Sequence, residues 1–323
     1  MKVLTRSVIA FIALTILPSW GFHGHKRINQ LSVFTLPPEM IGFYKHHIDF
    51  ITKTSVNPDK RRFSVVDEAP RHYIDLDHYG DSVLQIMPRS WNDAVNKFSE
   101  DTLKAYGIVP WHVNRVYYQL REAFLLEDPQ RILRLSADLG HYIGDAHVPL
   151  HTTENYNGQL TGQEGIHGFW ESRLVELFSS EYDFLVGRAT YVSNPQERIW
   201  QVVEESHHLK DSVLLEEKKL SEKFGERRFS YETKGRQTVK VYSESYSKAY
   251  HNVLRGMVER RMRSAVHTVG SFWFSAWVDA GQPDLKRLLD YTPDAAELEA
   301  RKAEIESWKA KNIRSRDHEI EEE

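Results

Sequence analysis

Apolar residues recur at three- and four-residue steps along most of this chain, a spacing that predicts helices. The longest stripe includes Tyr250, Leu254, Met257, Val258, Met262, Val266, Val269, Trp273 and Trp277, and it predicts a helical stretch over 239–279. An unbroken aromatic stripe of this kind reads as core. Further helices are predicted over 25–35 and 39–52, parted by Pro37-Pro38. Two more are predicted over 112–128 and 130–147, joined at Asp128-Pro129, and another long one over 195–224. Between Thr52 and Trp91 the pattern breaks at Pro58, Pro70, Gly80 and Pro88. Irregular segments of that length tend to be functional, and this one holds Asp59 and His72. A second irregular segment, 152–165, is rich in Asn and Gly, and 225–237 reads as a charged loop. From 293 to 323 the chain reads as a charged helical tail with a solvated face. No repeat and no linker interrupts it. The expectation is a single all-α domain over 20–292, followed by the tail.

Composition narrows the picture. Hydrophobic residues make up 41% and aromatics 12% of the 323 residues, enough for a substantial core. There is no cysteine, which excludes disulfides and thiolate metal sites. Any metal is therefore held by nitrogen and oxygen. The formal net charge is −4, and a broad electrostatic grip on duplex nucleic acid is not expected. Residues 1–19 read as a secretory signal: Lys2 and Arg6 precede an apolar run from Val8 to Leu17, and Ser19 suits the cleavage position. That run is too short to span a bilayer. The expectation is export to the periplasm or beyond. No later stretch is apolar enough for stable membrane insertion, and no obligate protein partner is evident.

The chemistry concentrates in His141-Tyr-Ile-Gly-Asp145-Ala-His-Val-Pro-Leu-His151. His141 and Asp145 are four apart and share one helix face. Pro149 ends the helix and leaves His151 on a turn. A second pair, His167 and Glu171, has the same spacing. A lone His–carboxylate pair is more often a salt bridge than a metal site. Two pairs plus His151 within so short a span favour a divalent metal. Adding other histidines and acids in order gives nine candidate ligands: Trp20, His25, Asp59, His72, His141, Asp145, His151, His167 and Glu171. His147, two residues from Asp145, points elsewhere and is assigned a structural role.

This set resembles the superfamily of single-strand-specific zinc nucleases and bacterial zinc-dependent phospholipases C. Their shared signature is a mature N-terminal Trp, scattered His and Asp ligands, a His-x3-Asp-x5-His block and a His-x3-Asp/Glu block. All nine positions are filled in order, over roughly residues 20 to 280. The resemblance implies an all-α fold with three Zn2+. Asp59, His72, His141 and Asp145 would hold one ion. The free amine and carbonyl of Trp20, with His25 and Asp145, would hold a second, so that Asp145 bridges. His151, His167 and Glu171 would hold a third, more open ion. Cleavage before Trp20 would then be part of the chemistry.

The implied reaction is phosphodiester hydrolysis, with Asp59 orienting the attacking water. The five-residue step from Trp20 to His25 looks like the nucleases, so single-stranded nucleic acid is the favoured substrate. Glu171 and the lack of cysteine look like the phospholipases, which act on phospholipid head groups. Phe63, Tyr73 or Tyr156 could flank a substrate or merely pack. His151, His167 and Glu171 alone would also suit a non-haem iron oxygenase, but the other ligands then have no task. A metal-binding protein without catalysis is the remaining alternative.

Overall fold

In the computed structural model, which describes residues 21–310 other than 235–236, helices follow one another along almost the whole chain. They are α1 (Gly21–Ser32), α2 (Pro38–His46), α3 (Ile48–Thr54), α4 (Asn57–Arg61), α5 (Val83–Ile86), α6 (Trp91–Phe98), α7 (Glu100–Tyr106), α8 (Val109–Leu125), α9 (Pro129–Ala146), α10 (Ile166–Gly168), α11 (Leu174–Phe178), α12 (Pro195–Phe224), α13 (Glu244–Val253), α14 (Met257–Asp279) and α15 (Ala295–Ala310). One antiparallel hairpin, β1 (Phe229–Lys234) and β2 (Gln237–Tyr242), is the only sheet among the described residues. The chain is mainly helical, as the periodicity predicts.

Local sequence sets the long helices. Asp128 accepts a hydrogen bond from Arg131 N at 3.0 Å, and Pro129 occupies the first helical position of α9. Asn194 and Pro195 start α12 in the same way, with a 3.1 Å bond from Glu197 N. From Ser136 to Ala146 every residue of α9 is buried, on all faces of the helix. The reason is its surroundings: α1, α3, α8, α12 and α14 all pack against it. Trp273 of α14 donates to Ser136 O at 3.0 Å, and Tyr44 of α2 stacks on Trp273 with ring centres 5.0 Å apart. The helix that carries His141 and Asp145 is thus the central helix of the domain.

Two glycines let α1 approach α9. A Cβ on Gly140 would lie 1.7 Å from Asn29 Oδ1, and one on Gly144 would lie 3.0 Å from His25 Nδ1. Only glycine permits this contact, and it brings His25 beside Asp145.

Three expectations need correction. The predicted helical stretch 239–279 begins as β2 and breaks again at Arg255 and Gly256, both at positive φ, between α13 and α14. The step from Tyr250 through Leu254 to Met257 keeps helical spacing across that break, so periodicity alone does not reveal it. The predicted charged loop 225–237 runs into the hairpin, paired Phe229↔Tyr242, Tyr231↔Lys240 and Thr233↔Thr238. The irregular segment 52–91 contains α4, α5 and single 3-10 turns, each too short to show a period. The 152–165 segment is also well tied. Asn155 Oδ1 accepts from Leu160 N at 2.8 Å, and Asn157 Oδ1 from Gly165 N at 3.0 Å. Within the tail, the described part of α15 buries Trp308, whose ring lies under Arg61 at 5.9 Å. No described helix is long and apolar enough to cross a membrane.

Candidate metal centre

Eight of the nine predicted ligands come together; Trp20 and the signal segment 1–19 lie outside the described residues. Three overlapping or adjacent groups of donors form: His25, His141 and Asp145; Asp59, His72 and His141; and His151, His167 and Glu171. Seven different segments deliver them. His25 comes from α1, Asp59 from α4, His72 from the turn after Arg71, His141 and Asp145 from α9, and His151 from the 3-10 turn Pro149–Thr152. His167 lies in α10, and Glu171 in the π turn Phe169–Arg173 that joins α10 to α11.

Asp145 sits at the junction. Its Oδ1 lies 3.3 Å from His25 Nε2, and its Oδ2 lies 2.9 Å from His72 Nδ1 and 3.3 Å from His141 Nε2. Asp59 Oδ1 approaches His141 Nε2 at 3.6 Å and His72 Nδ1 at 3.7 Å. In the third group His151 Nε2 is 3.1 Å from His167 Nε2 and 3.2 Å from Glu171 Oε2, and the His167–Glu171 edge is 3.1 Å. Donors ~2.0–2.1 Å from a tetrahedral zinc ion stand ~3.3 Å apart, so these edges match such a polyhedron.

Backbone carbonyls fix the histidine tautomers. His141 Nδ1 donates to Ser55 O at 2.8 Å, and His151 Nδ1 donates to His72 O at 2.7 Å. Each Nε2 then turns a lone pair toward the cluster, as metal-ligating histidines do. The lone pair of His151 consequently faces the carboxylate of Glu171. Two acceptors face each other only with a cation between them: a proton in the metal-free chain, a metal ion when one is bound.

The electrostatics agree. Burial alone raises a carboxyl pKa. Against that effect, His141 and His151 hold Asp145 well below the usual carboxylate range. His141 and Arg62 lower the pKa of Asp59, and His167 and His151 lower that of Glu171. Burial also works against charge on His25, yet the Asp145 carboxylate, with Asp59 and Glu171, raises its pKa to about 9. Three buried or half-buried carboxylates thus stay ionised beside imidazoles inside the core, an arrangement that needs a compensating charge. Asp59 and Glu171 are partly exposed while every histidine of the set is buried, which puts the mouth of the site at these two acids.

Sequence spacing does not reveal the surrounding shell. Glu68 is fully buried, paired with Arg71 at 2.6 Å and with Arg61 at 3.3 Å, and it accepts from the Tyr142 hydroxyl. Burial would raise its pKa, but Arg61, His72 and Arg71 bring it down to about 2. Its Oε1 lies 3.8 Å from His72 Nε2, behind the ligand. Arg61 is also held by Asp138 at 3.0 Å. Arg62, buried next to Asp59 at 3.9 Å, adds a cation at the wall. The only sequence cue for this shell was the run of basic residues after Asp59.

His147 is structural as predicted: it donates to Ile143 O at 2.7 Å and contacts Ser264 Oγ at 3.2 Å. Of the aromatic candidates, Tyr73 is buried and reaches toward Ala105 O, so it packs. Tyr156 is half-buried with its ring centre 6.1 Å from that of His167, and Phe63 is half-buried against Arg62. These groups could hold metal ions. Neither the family models nor the curated proteins compared with this chain give a match, so the case for a metal centre rests on its geometry.

Proposed function

We propose that the chain is an exported zinc-dependent phosphodiesterase, with single-stranded nucleic acid as its favoured substrate. The observation that carries this is the shared carboxylate of Asp145, whose two oxygens face different histidines of adjoining donor groups. A bridging carboxylate between nitrogen donors suits a pair of divalent ions, and the all-nitrogen-and-oxygen set suits zinc. Asp145 would join His72, His141 and Asp59 at one ion and His25, with the amine of a processed Trp20, at another. His151, His167 and Glu171 would hold the third. Bound ions of this kind supply an acidified water and positive charge for a phosphate.

The chain's own groups supply the rest. Asp59, ionised and partly exposed at the mouth, accepts a hydrogen bond from the attacking water and orients it. Arg62 beside it keeps that carboxylate charged and adds a cation to the wall. Glu171, also at the mouth, is ionised and would serve as the carboxylate donor of the third group. Glu68 and Arg61 brace the back of His72, so the ligand does not swing when substrate enters.

The oxygenase alternative uses only the third group and leaves Asp145 and its histidines without a task. Glu171, where the nucleases carry Asp, keeps phospholipid head groups as the second reading. The test is a parallel assay of zinc-loaded mature protein on single-stranded RNA, single-stranded DNA and phosphatidylcholine. Nucleic acid should be cleaved and the lipid left. Cleavage of lipid alone reverses the preference, and cleavage of neither by the fully loaded protein ends the phosphodiesterase reading.

A further inference from the structure

The β1–β2 hairpin has no part in the metal site, yet it is bolted to the element that carries Glu171. Tyr242 of β2 stacks on Phe169 with ring centres 3.9 Å apart, two residues before Glu171. Arg173, two residues after Glu171, donates to Tyr242 O at 3.2 Å and pairs with Glu232 of β1. The Tyr242 hydroxyl reaches Glu164 O at 3.5 Å, three residues before His167. The hairpin therefore projects from the rim of the third donor group.

Its register puts Phe229, Tyr231, Lys240 and Tyr242 on one face, because directly paired residues of an antiparallel ladder share a face. At the inner rung, Phe229 and Tyr242 are packed. One rung further out, ~7 Å along the strands, Tyr231 is 71% exposed beside an exposed Lys240. The Lys240 ammonium lies 3.7 Å from the Phe229 ring centre, and the Arg228 guanidinium lies 4.8 Å from the same ring. Arg227 is exposed next to them. The nearby acids are Glu164, Glu226, Glu232 and Glu244, and Glu232 lies on the opposite face, paired with Arg173. On an otherwise acidic chain, this face gathers cations around aromatic rings, one of them uncovered.

We propose that this face is a strand-binding arm for a single-stranded polynucleotide, with Tyr231 stacking one base and Arg227, Arg228 and Lys240 taking backbone phosphates. Aromatic rings interleaved with cations are what unpaired bases and their phosphodiester backbone require. A duplex hides its base faces and is not held here. The arm rests on the phosphodiesterase reading for its direction: a strand whose scissile phosphate sits at the mouth continues over Glu171 onto the hairpin. It extends the site beyond the cleaved bond and makes affinity depend on substrate length.

The test uses the full zinc-loaded chain and the same chain treated with a chelator. Binding of a fluorescent oligothymidylate is read by anisotropy, and turnover of a small chromogenic phosphodiester is read alongside. Tyr231→Ala together with Lys240→Ala should weaken oligothymidylate binding by about tenfold or more and flatten its salt dependence. Turnover of the small diester should not change. Tyr231→Phe should bind like the parent, since the ring is kept. Unchanged oligothymidylate binding in the double variant overturns the arm, as does an equal loss on the small diester. A parent chain that binds no oligothymidylate overturns it too. A parent that binds through Tyr231 and Lys240 but cleaves no phosphodiester keeps the arm and sinks the catalytic reading instead.

Discussion

Gly140→Ala is the sharpest probe of how the scaffold makes the centre. On helix propensity alone the change stabilises α9 by ~1 kcal/mol. The structure opposes that gain. The new Cβ would stand 1.7 Å from Asn29 Oδ1, against an ordinary contact of ~3.5 Å, so roughly 1.8 Å of displacement is required. Asn29 is fully buried, and its Nδ2 donates to Ala137 O at 3.0 Å. Moving the side chain breaks that bond, at ~1–3 kcal/mol for a buried group left unsatisfied. Moving α1 instead strains the packing by ~1–3 kcal/mol. It also drags His25, one turn earlier on the same face, from its 3.3 Å contact with Asp145. After subtracting the propensity gain, a net loss of up to ~2 kcal/mol is expected, with less bound zinc when α1 is the element that yields. The companion change is Gly42→Ala, in the middle of α2, where a Cβ meets nothing within 4 Å. It should stabilise by ~0.5–1 kcal/mol. Urea denaturation of the metal-free proteins reads both changes, and elemental analysis reads the zinc. A stabilised Gly140→Ala protein with full zinc content would refute the close approach of α1 and α9 as the device that seats His25.

Asp145→Asn should lower metal content more than His25→Ala, because Asp145 faces three histidines and His25 belongs to one donor group; mass spectrometry of native protein counts the ions. Glu171→Gln should cost one metal equivalent and leave the rest, since the third group shares no ligand with the other two; retention of every ion by this variant contradicts the grouping. Zinc uptake at neutral pH should release a proton from His25. Its pKa of about 9 keeps it charged below that pH, and a ligand must be neutral. Affinity should therefore rise with pH until the pH passes about 9, and calorimetry in buffers of differing ionisation enthalpy counts the protons.

The parts legible in the sequence are those where burial conflicts with chemistry. His141 and Asp145 stand in the stretch 139–146, which is otherwise apolar or small, and a charged pair there demands a partner. α12 is readable end to end because Asn194-Pro195 starts it, Gly225 follows it and apolar residues recur at helical spacing from Ile199 to Phe224. The hairpin was not, because Glu232 and Lys240 mask its period-two alternation and Gly225 ends the preceding helix without a change in charge pattern. The Ser55 and His72 carbonyls that set the tautomers are backbone groups, which no side-chain pattern can encode. The Glu68 network joins residues from α4, the turn before His72 and α9, and such pairs have no fixed spacing along a chain.

The bond from His151 Nδ1 to His72 O has a return partner: Ile74 N donates to His151 O at 2.9 Å. The two segments are stitched together by one side-chain and one main-chain bond, independently of the side chains further along either one. The placing of His72 and His151 and the composition of the loop after Ile74 are thereby separable traits. Exposed residues beyond the stitch, such as Asp81, Ser82, Gln85 and Ile86, can change character without shifting His72 or His151, because the stitch lies between them and these two side chains. A scaffold built in this way can rewrite that rim while His72 and His151 keep their places, and it offers a laboratory the same freedom: substitutions there should leave both side chains where they are.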